Sequence, residues 1–250
     1  MSHIARLSLL PIAIAQFLAP TLPTLGFGKT NAERALNEGV PPELPLGVFF
    51  SIWGIIFLGY LATAILANIK PAYVSDRLAP PLALAGIGNV IWMLSSQLIG
   101  NVLLDFLILL PILFFIWETA HRLDRSSGYD GTGRSILHGL TVGLFAGWLA
   151  VAVSISIPDV ARWVLGRGVS DFVWQSLWMA LVPAGLFAWL FASRVSRNLW
   201  FFVALAWGVI GIAMNNWYRL ETHGLAIMTL ATGVFVIGRR LTRGARGSMA

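Results

Sequence analysis

Eight stretches of this chain, at 7–27, 46–68, 79–99, 103–120, 136–157, 173–192, 199–217 and 223–238, are apolar over roughly the length a bilayer requires. No other feature limits the fold so strongly. A span needs about 20 mostly apolar residues. Within hydrocarbon each segment must satisfy its own backbone polar groups, so such runs read as helices. The alternating strands of a transmembrane barrel, about ten residues each, do not occur in the pattern. Composition agrees: 57% of the residues are hydrophobic and 11% charged, where a soluble domain carries about 25% charged residues. Folded in water, this material would leave apolar patches that soluble monomers avoid. The expected fold is an all-α integral membrane protein of about eight transmembrane helices.

Two spans are weak. Pro11, Pro20 and Pro23 interrupt the first, and the last has only about 16 apolar residues before its arginines. The first also has a rival reading as a signal peptide, with a weak basic start at His3 and Arg6. It lacks a small-x-small cleavage site before a polar domain, so a retained helix is expected.

Loop charges test the helix count. With eight spans, Arg6, Lys70, Arg77, Arg122, Arg125, Arg134, Arg194, Arg197, Arg239, Arg240, Arg243 and Arg246 share one side. Lys29, Arg34, Arg162, Arg167 and Arg219 lie on the other, so twelve of the 17 basic residues are together. This asymmetry predicts both termini in the cytoplasm, the topology expected of a multi-pass protein of a bacterial inner membrane, and an even number of spans. The +6 net charge then serves orientation beside anionic lipid, and nucleic acid is not an expected partner. Cysteine is absent, which excludes disulfides, thiolate metal sites and cysteine nucleophiles. The longest polar intervals, 28–45 and 121–135, are loop-sized, and Ser126 to Gly131 reads as a flexible turn. No internal repeat stands out, which weakens a transporter built of inverted halves.

Eleven tryptophans are the chemical signature of the chain. Trp163, Trp174, Trp178, Trp200 and Trp217 lie near span ends and fit an interfacial belt. Trp53, Trp92, Trp148 and Trp207 sit deeper, where a buried indole N–H wants an acceptor. Phe50, Trp53, Phe57 and Tyr60 follow one another at helical spacing and share a face of the second helix. Gly54 and Gly59 would admit a neighbour or a ligand close to that helix's backbone. Asn89 and Trp92, three apart, share a face of the third. An asparagine within a span should point into the bundle, either joining helices or contacting a ligand. Together these residues suit an aromatic cavity with few polar handles, for a flat, apolar, conjugated molecule.

Other chemistry finds little support. Asp105 opens the fourth span, as a helix-terminal acid or a proton relay. Glu118 and His121 make a single Glu-x-x-His, whereas a di-iron bundle needs two such motifs and two further glutamates; no metal site is expected. His138 and His223 stand at helix starts, suited to headgroups, and Asp159 beyond Pro158 reads as a cap. Lys29 and Lys70 lie outside the spans, which argues against a retinal Schiff base. No phosphate-binding glycine loop precedes a strand, and no serine–histidine–acid set emerges from spacing. No catalytic residue is assigned.

Three motifs in order carry a family resemblance. Pro41-Pro42 followed by Phe50-Ser51-Ile52-Trp53-Gly54 and Ile56-Phe57 resembles the double-proline loop and aromatic second helix of the TspO/translocator proteins, the tryptophan-rich sensory proteins. Asn89-x-x-Trp92 is similar to the Asn-x-x-Trp of their third helix, and Gly147-Trp148-Leu149-Ala150-Val151-Ala152 to their fifth-helix signature. Gly47, Phe57 and Ser156 stand where that pattern has tryptophan, tyrosine and asparagine. The motifs cover residues 1 to about 160. The resemblance implies a five-helix TspO-like bundle over 1–160, with an additional three-helix segment over 161–250 packed on it, as in longer bacterial relatives. It also implies a membrane-embedded binding or sensory protein for a porphyrin or similar flat lipophile, often a homodimer, with membrane lipids around it. The ligand-binding residues would be Phe50, Trp53, Phe57, Asn89, Trp92 and Trp148. Alternatives are a small-molecule transporter using Asp105, Gln97 and Asn215-Asn216, an enzyme of isoprenoid or carotenoid lipids, and a structural subunit of a larger membrane complex.

Overall fold

The computed structural model describes residues 2–30, 33, 39–125 and 133–247; the turn expected at Ser126 to Gly131 lies outside them. Among the described residues there are eight helices long and apolar enough to cross a membrane, and no strand. They are α1 (Ser2–Leu18), α2 (Ile52–Ile69), α3 (Ala79–Leu98), α4 (Val102–Arg125), α5 (Gly133–Leu165), α6 (Val173–Leu190), α7 (Leu199–Met214) and α8 (His223–Gly247).

The prolines of the first span change its helical geometry without interrupting the span. The α-helix runs through Pro11, and at Ala19–Leu25 the chain tightens into a 3₁₀ helix with Pro20 in its first turn. A first-turn proline lacks only an N–H that would be unpaired there anyway. Gly26, at φ 85°, closes the helix by donating to the Pro23 carbonyl at 3.0 Å. At the other end of the chain α8 is longer than its apolar run, continuing through the arginines to Gly247. Hydropathy marks where hydrocarbon stops, and a helix with good formers beyond that point has no reason to stop with it.

The bundle is organised around α5. It packs against α2, α4, α6 and α7, and 78% of its apolar window is buried, against 28–56% for the other spans. Helix α1 lies on α2 and α3, α3 lies on α4, and α8 lies on α6 and α7. Small residues set the α5–α7 approach. A Cβ on Gly143 would stand 2.7 Å from the Asn198 amide, and one on Gly147 would stand 2.3 Å from the Phe201 carbonyl oxygen. In lipid, helices associate through such close backbone contact, because burial from lipid gives no hydrophobic gain. This seam joins the last three helices to the first five.

Candidate functional site

Trp53 is the hub of an aromatic cluster drawn from four helices. Its ring centroid lies 5.4 Å from Phe57, 5.9 Å from Trp92 on α3, and 6.0 and 6.5 Å from Phe145 and Trp148 on α5. Phe50, in the 3₁₀ turn Gly47–Ser51 that leads into α2, meets Trp148 edge-on at 5.7 Å. Phe17 of α1 meets Phe57 at 5.7 Å. The contacts are stacked, tilted or edge-to-face, the arrangements an aromatic quadrupole favours. Five of the six expected site residues are therefore in one ring network. Trp148 and Phe57 are buried, whereas Trp53 and Trp92 are only half-buried. Phe145 and Phe17 complete the network; their aromatic character alone did not separate them from core residues.

Tyr60 shares the α2 face but does other work. Buried, it donates its hydroxyl to the Leu82 carbonyl at 3.0 Å and ties α2 to α3. Gly59 allows Thr141 of α5 to approach, since a Cβ there would lie 2.5 Å from the threonine hydroxyl. Gly54, by contrast, is exposed and faces open space.

Asn89, the sixth site residue, is fully buried and turned toward α1. Its Nδ2 donates to Oε1 of Gln16, also fully buried, across a long 3.4 Å. The other halves of both amides, Oδ1 of Asn89 and Nε2 of Gln16, have no partner among the described residues. One acceptor and one donor are thus left in an apolar interior, where unpaired polar groups are costly. The pair both joins two helices and leaves hydrogen-bonding capacity over. Gln16 was detectable in the sequence as an amide inside an apolar run.

The loop before α2 is stitched down over this region by the last helices. Asn215 and Asn216, in a π-helical turn at the end of α7, donate to the Pro41 and Pro42 carbonyls at 3.2 and 2.6 Å. The Leu46 N–H donates to the Gly211 carbonyl at 2.9 Å, and the Trp207 indole to the Phe49 carbonyl at 2.7 Å. Glu43 is buried and pairs with buried Arg162 of α5 at 2.5 Å; Arg162 also binds Asp159. A carboxylate with a guanidinium partner can lie in a protein interior where an isolated charge cannot. Sequence spacing could not reveal this pair, whose members are 119 positions apart.

A model of the TSPO-like protein family matches residues 4–239. The chain belongs to that family. It is accordingly a multi-pass integral membrane protein, and the match extends past the three motifs to take in α6, α7 and most of α8. No curated protein and no solved structure matches the chain.

The remaining candidates in this TSPO-like protein serve the framework. Asp105 accepts the Ser95 hydroxyl at 2.6 Å, joining α4 to α3. Glu118 pairs with Arg122 one turn on, at 2.6 Å. His121 contacts the Val195 carbonyl at 3.1 Å, His138 lies edge-on to Tyr73, and His223 packs on Trp217. No group of three metal-ligating side chains occurs among the described residues. Of the five tryptophans expected in an interfacial belt, Trp163, Trp174, Trp178 and Trp217 carry their rings at the surface of the bundle, and Trp200 is half-buried. Trp207 is less buried than its mid-span position suggested: one side of its ring lies at the surface, while the ring packs on Phe49 at 4.7 Å and its N–H donates to the Phe49 carbonyl.

Proposed function

We propose that this TSPO-like protein binds a flat, conjugated lipophile of the tetrapyrrole class within the membrane and acts as its sensor. The observation that carries the reading is the convergence of Trp53, Trp92, Phe57 and Trp148 beside an amide pair with one donor and one acceptor to spare. Trp53 and Trp92 are inclined by only 33°, so the pair offers adjoining faces on which a planar ring would stack. Stacking would supply the affinity, and Asn89 with Gln16 would orient polar edge groups of the ligand. The transporter alternative is less favoured, since Asn215, Asn216 and Asp105 are engaged in holding the fold. The proposed orientation places both termini in the cytoplasm.

Quenching of tryptophan fluorescence in the purified protein, titrated with a porphyrin, tests the proposal. Saturable quenching should shift to roughly tenfold weaker affinity in W53F/W92F, as two broad indole faces give way to smaller phenyl rings. Linear quenching, the same in both proteins, would remove the cluster as a ligand site.

A further inference from the structure

A second site, distinct from the aromatic cluster, lies among the three C-terminal helices. A cleft of about 230 Å³ opens between α6, α7 and α8. Its floor is a track of small residues, Gly185 and Ala188 on α6 and Ala192 in the π-helical turn Phe191–Val195 that extends it, continued by the buried Phe202 ring of α7. Seven residues of helix make that track roughly 10 Å long. Trp189 and Phe235 wall it, with their rings exposed at the outer surface of the bundle. Its head is formed by Arg239 and Arg240 in the last turns of α8 within the span.

Arg240 is the unusual member. Its side chain is buried to 7% exposure, yet its only hydrogen bond among the described residues runs from Nη2 to the Arg197 carbonyl at 3.0 Å. The guanidinium lies over the Phe202 ring at 5.4 Å, and Nε has no partner. Neither Arg239 nor Arg240 pairs with a carboxylate among the described residues. A guanidinium withdrawn from water with donors unused calls for an anion, and its planar fork suits phosphate oxygens.

We propose that this cleft is a binding site for an anionic phospholipid. The phosphate lies against Arg239 and Arg240, and one acyl chain runs along the Gly185–Ala188–Ala192 track between the two aromatic walls. The cleft combines a cation at one end with an apolar trough at the other, and its outer wall faces the lipid. A soluble anion would use the head alone and leave the trough unfilled. Basic pockets between transmembrane helices at the positively charged face are where anionic headgroups are held. The inference concerns a site separate from the aromatic cluster and does not depend on what that cluster binds.

The test is thermal unfolding in detergent, with the full chain titrated with phosphatidylglycerol, with phosphatidylcholine, or with inorganic phosphate. Phosphatidylglycerol should raise the midpoint saturably and the other two should not. In R240Q the half-saturating concentration of phosphatidylglycerol should rise roughly fivefold, the loss of one cation near a membrane surface. Because R240Q removes a cation–π contact, a second variant leaves both arginines in place. Gly185→Leu fills the track from a position where a Cβ meets only Val236 at 3.8 Å, and it should also weaken the lipid effect. Equal stabilisation by phosphatidylcholine, an unchanged response in both variants, or stabilisation by inorganic phosphate alone would each overturn the proposal.

Discussion

At the scale of single residues, the protein spends its few buried polar groups in two ways. Asn216 is satisfied twice over, by the Pro42 and Ile212 carbonyls at 2.6 and 2.8 Å. Asn89 holds one long bond and keeps an unpaired oxygen. The difference predicts different consequences on mutation. Asn89→Leu should reduce porphyrin affinity roughly tenfold, the worth of one hydrogen bond to a ligand. Its unfolding stability should change by less than about 1 kcal/mol, since interhelical side-chain bonds in membranes average less than that. Titration and detergent unfolding of the same variant check both halves. A loss of stability with unchanged affinity would make Asn89 a purely structural residue.

At the scale of elements, the loop that precedes α2 is fixed by partners from α5 and α7, and it delivers Phe50 to Trp148. Removing Arg162 would strand the buried Glu43 carboxylate, a loss of about 3–5 kcal/mol for a broken buried pair. Arg162→Leu should therefore release the segment 39–46, seen as faster amide hydrogen exchange there before any change in the helices. Glu43→Gln should do less, because Arg162 keeps Asp159 as a partner. The α5–α7 seam is less forgiving. Gly147→Leu would drive a side chain into the Phe201 carbonyl and should cost about 3 kcal/mol or more, measured by detergent-induced unfolding.

At the scale of the whole molecule, the TSPO-like protein is an α5-centred bundle in which the C-terminal helices are part of the packing. They hold the loop across the aromatic cluster and form the arginine-headed cleft. A chain ended after α5 should retain insertion but lose protection of the loop 39–46, measured by limited proteolysis. An even number of spans also places both termini on one face of the membrane. The native chain has no cysteine, so single cysteines introduced as Ser2→Cys and Ala250→Cys report cleanly. Both should resist an impermeant maleimide applied to right-side-out vesicles and react after permeabilisation; labelling of only one would overturn the eight-span topology.

The sequence by itself determined the class of the molecule. Lengths of apolar run fix how many times the chain can cross hydrocarbon, and that physics is local, so all eight spans were legible. Helical spacing likewise placed Phe50, Trp53 and Phe57 on one face and Asn89 with Trp92 on another, because side chains three or four apart must neighbour each other. Spacing could not show that those faces meet. Gln16 opposite Asn89, Glu43 with Arg162, Asn216 on the Pro42 carbonyl and Arg240 at the head of its cleft are all partnerships between distant segments. Apolar runs resemble one another in any order around a bundle, so hydropathy is silent on which helix packs on which. That choice rests on where glycines let backbones touch and where buried polar groups find one another, and only the tertiary structure decided it.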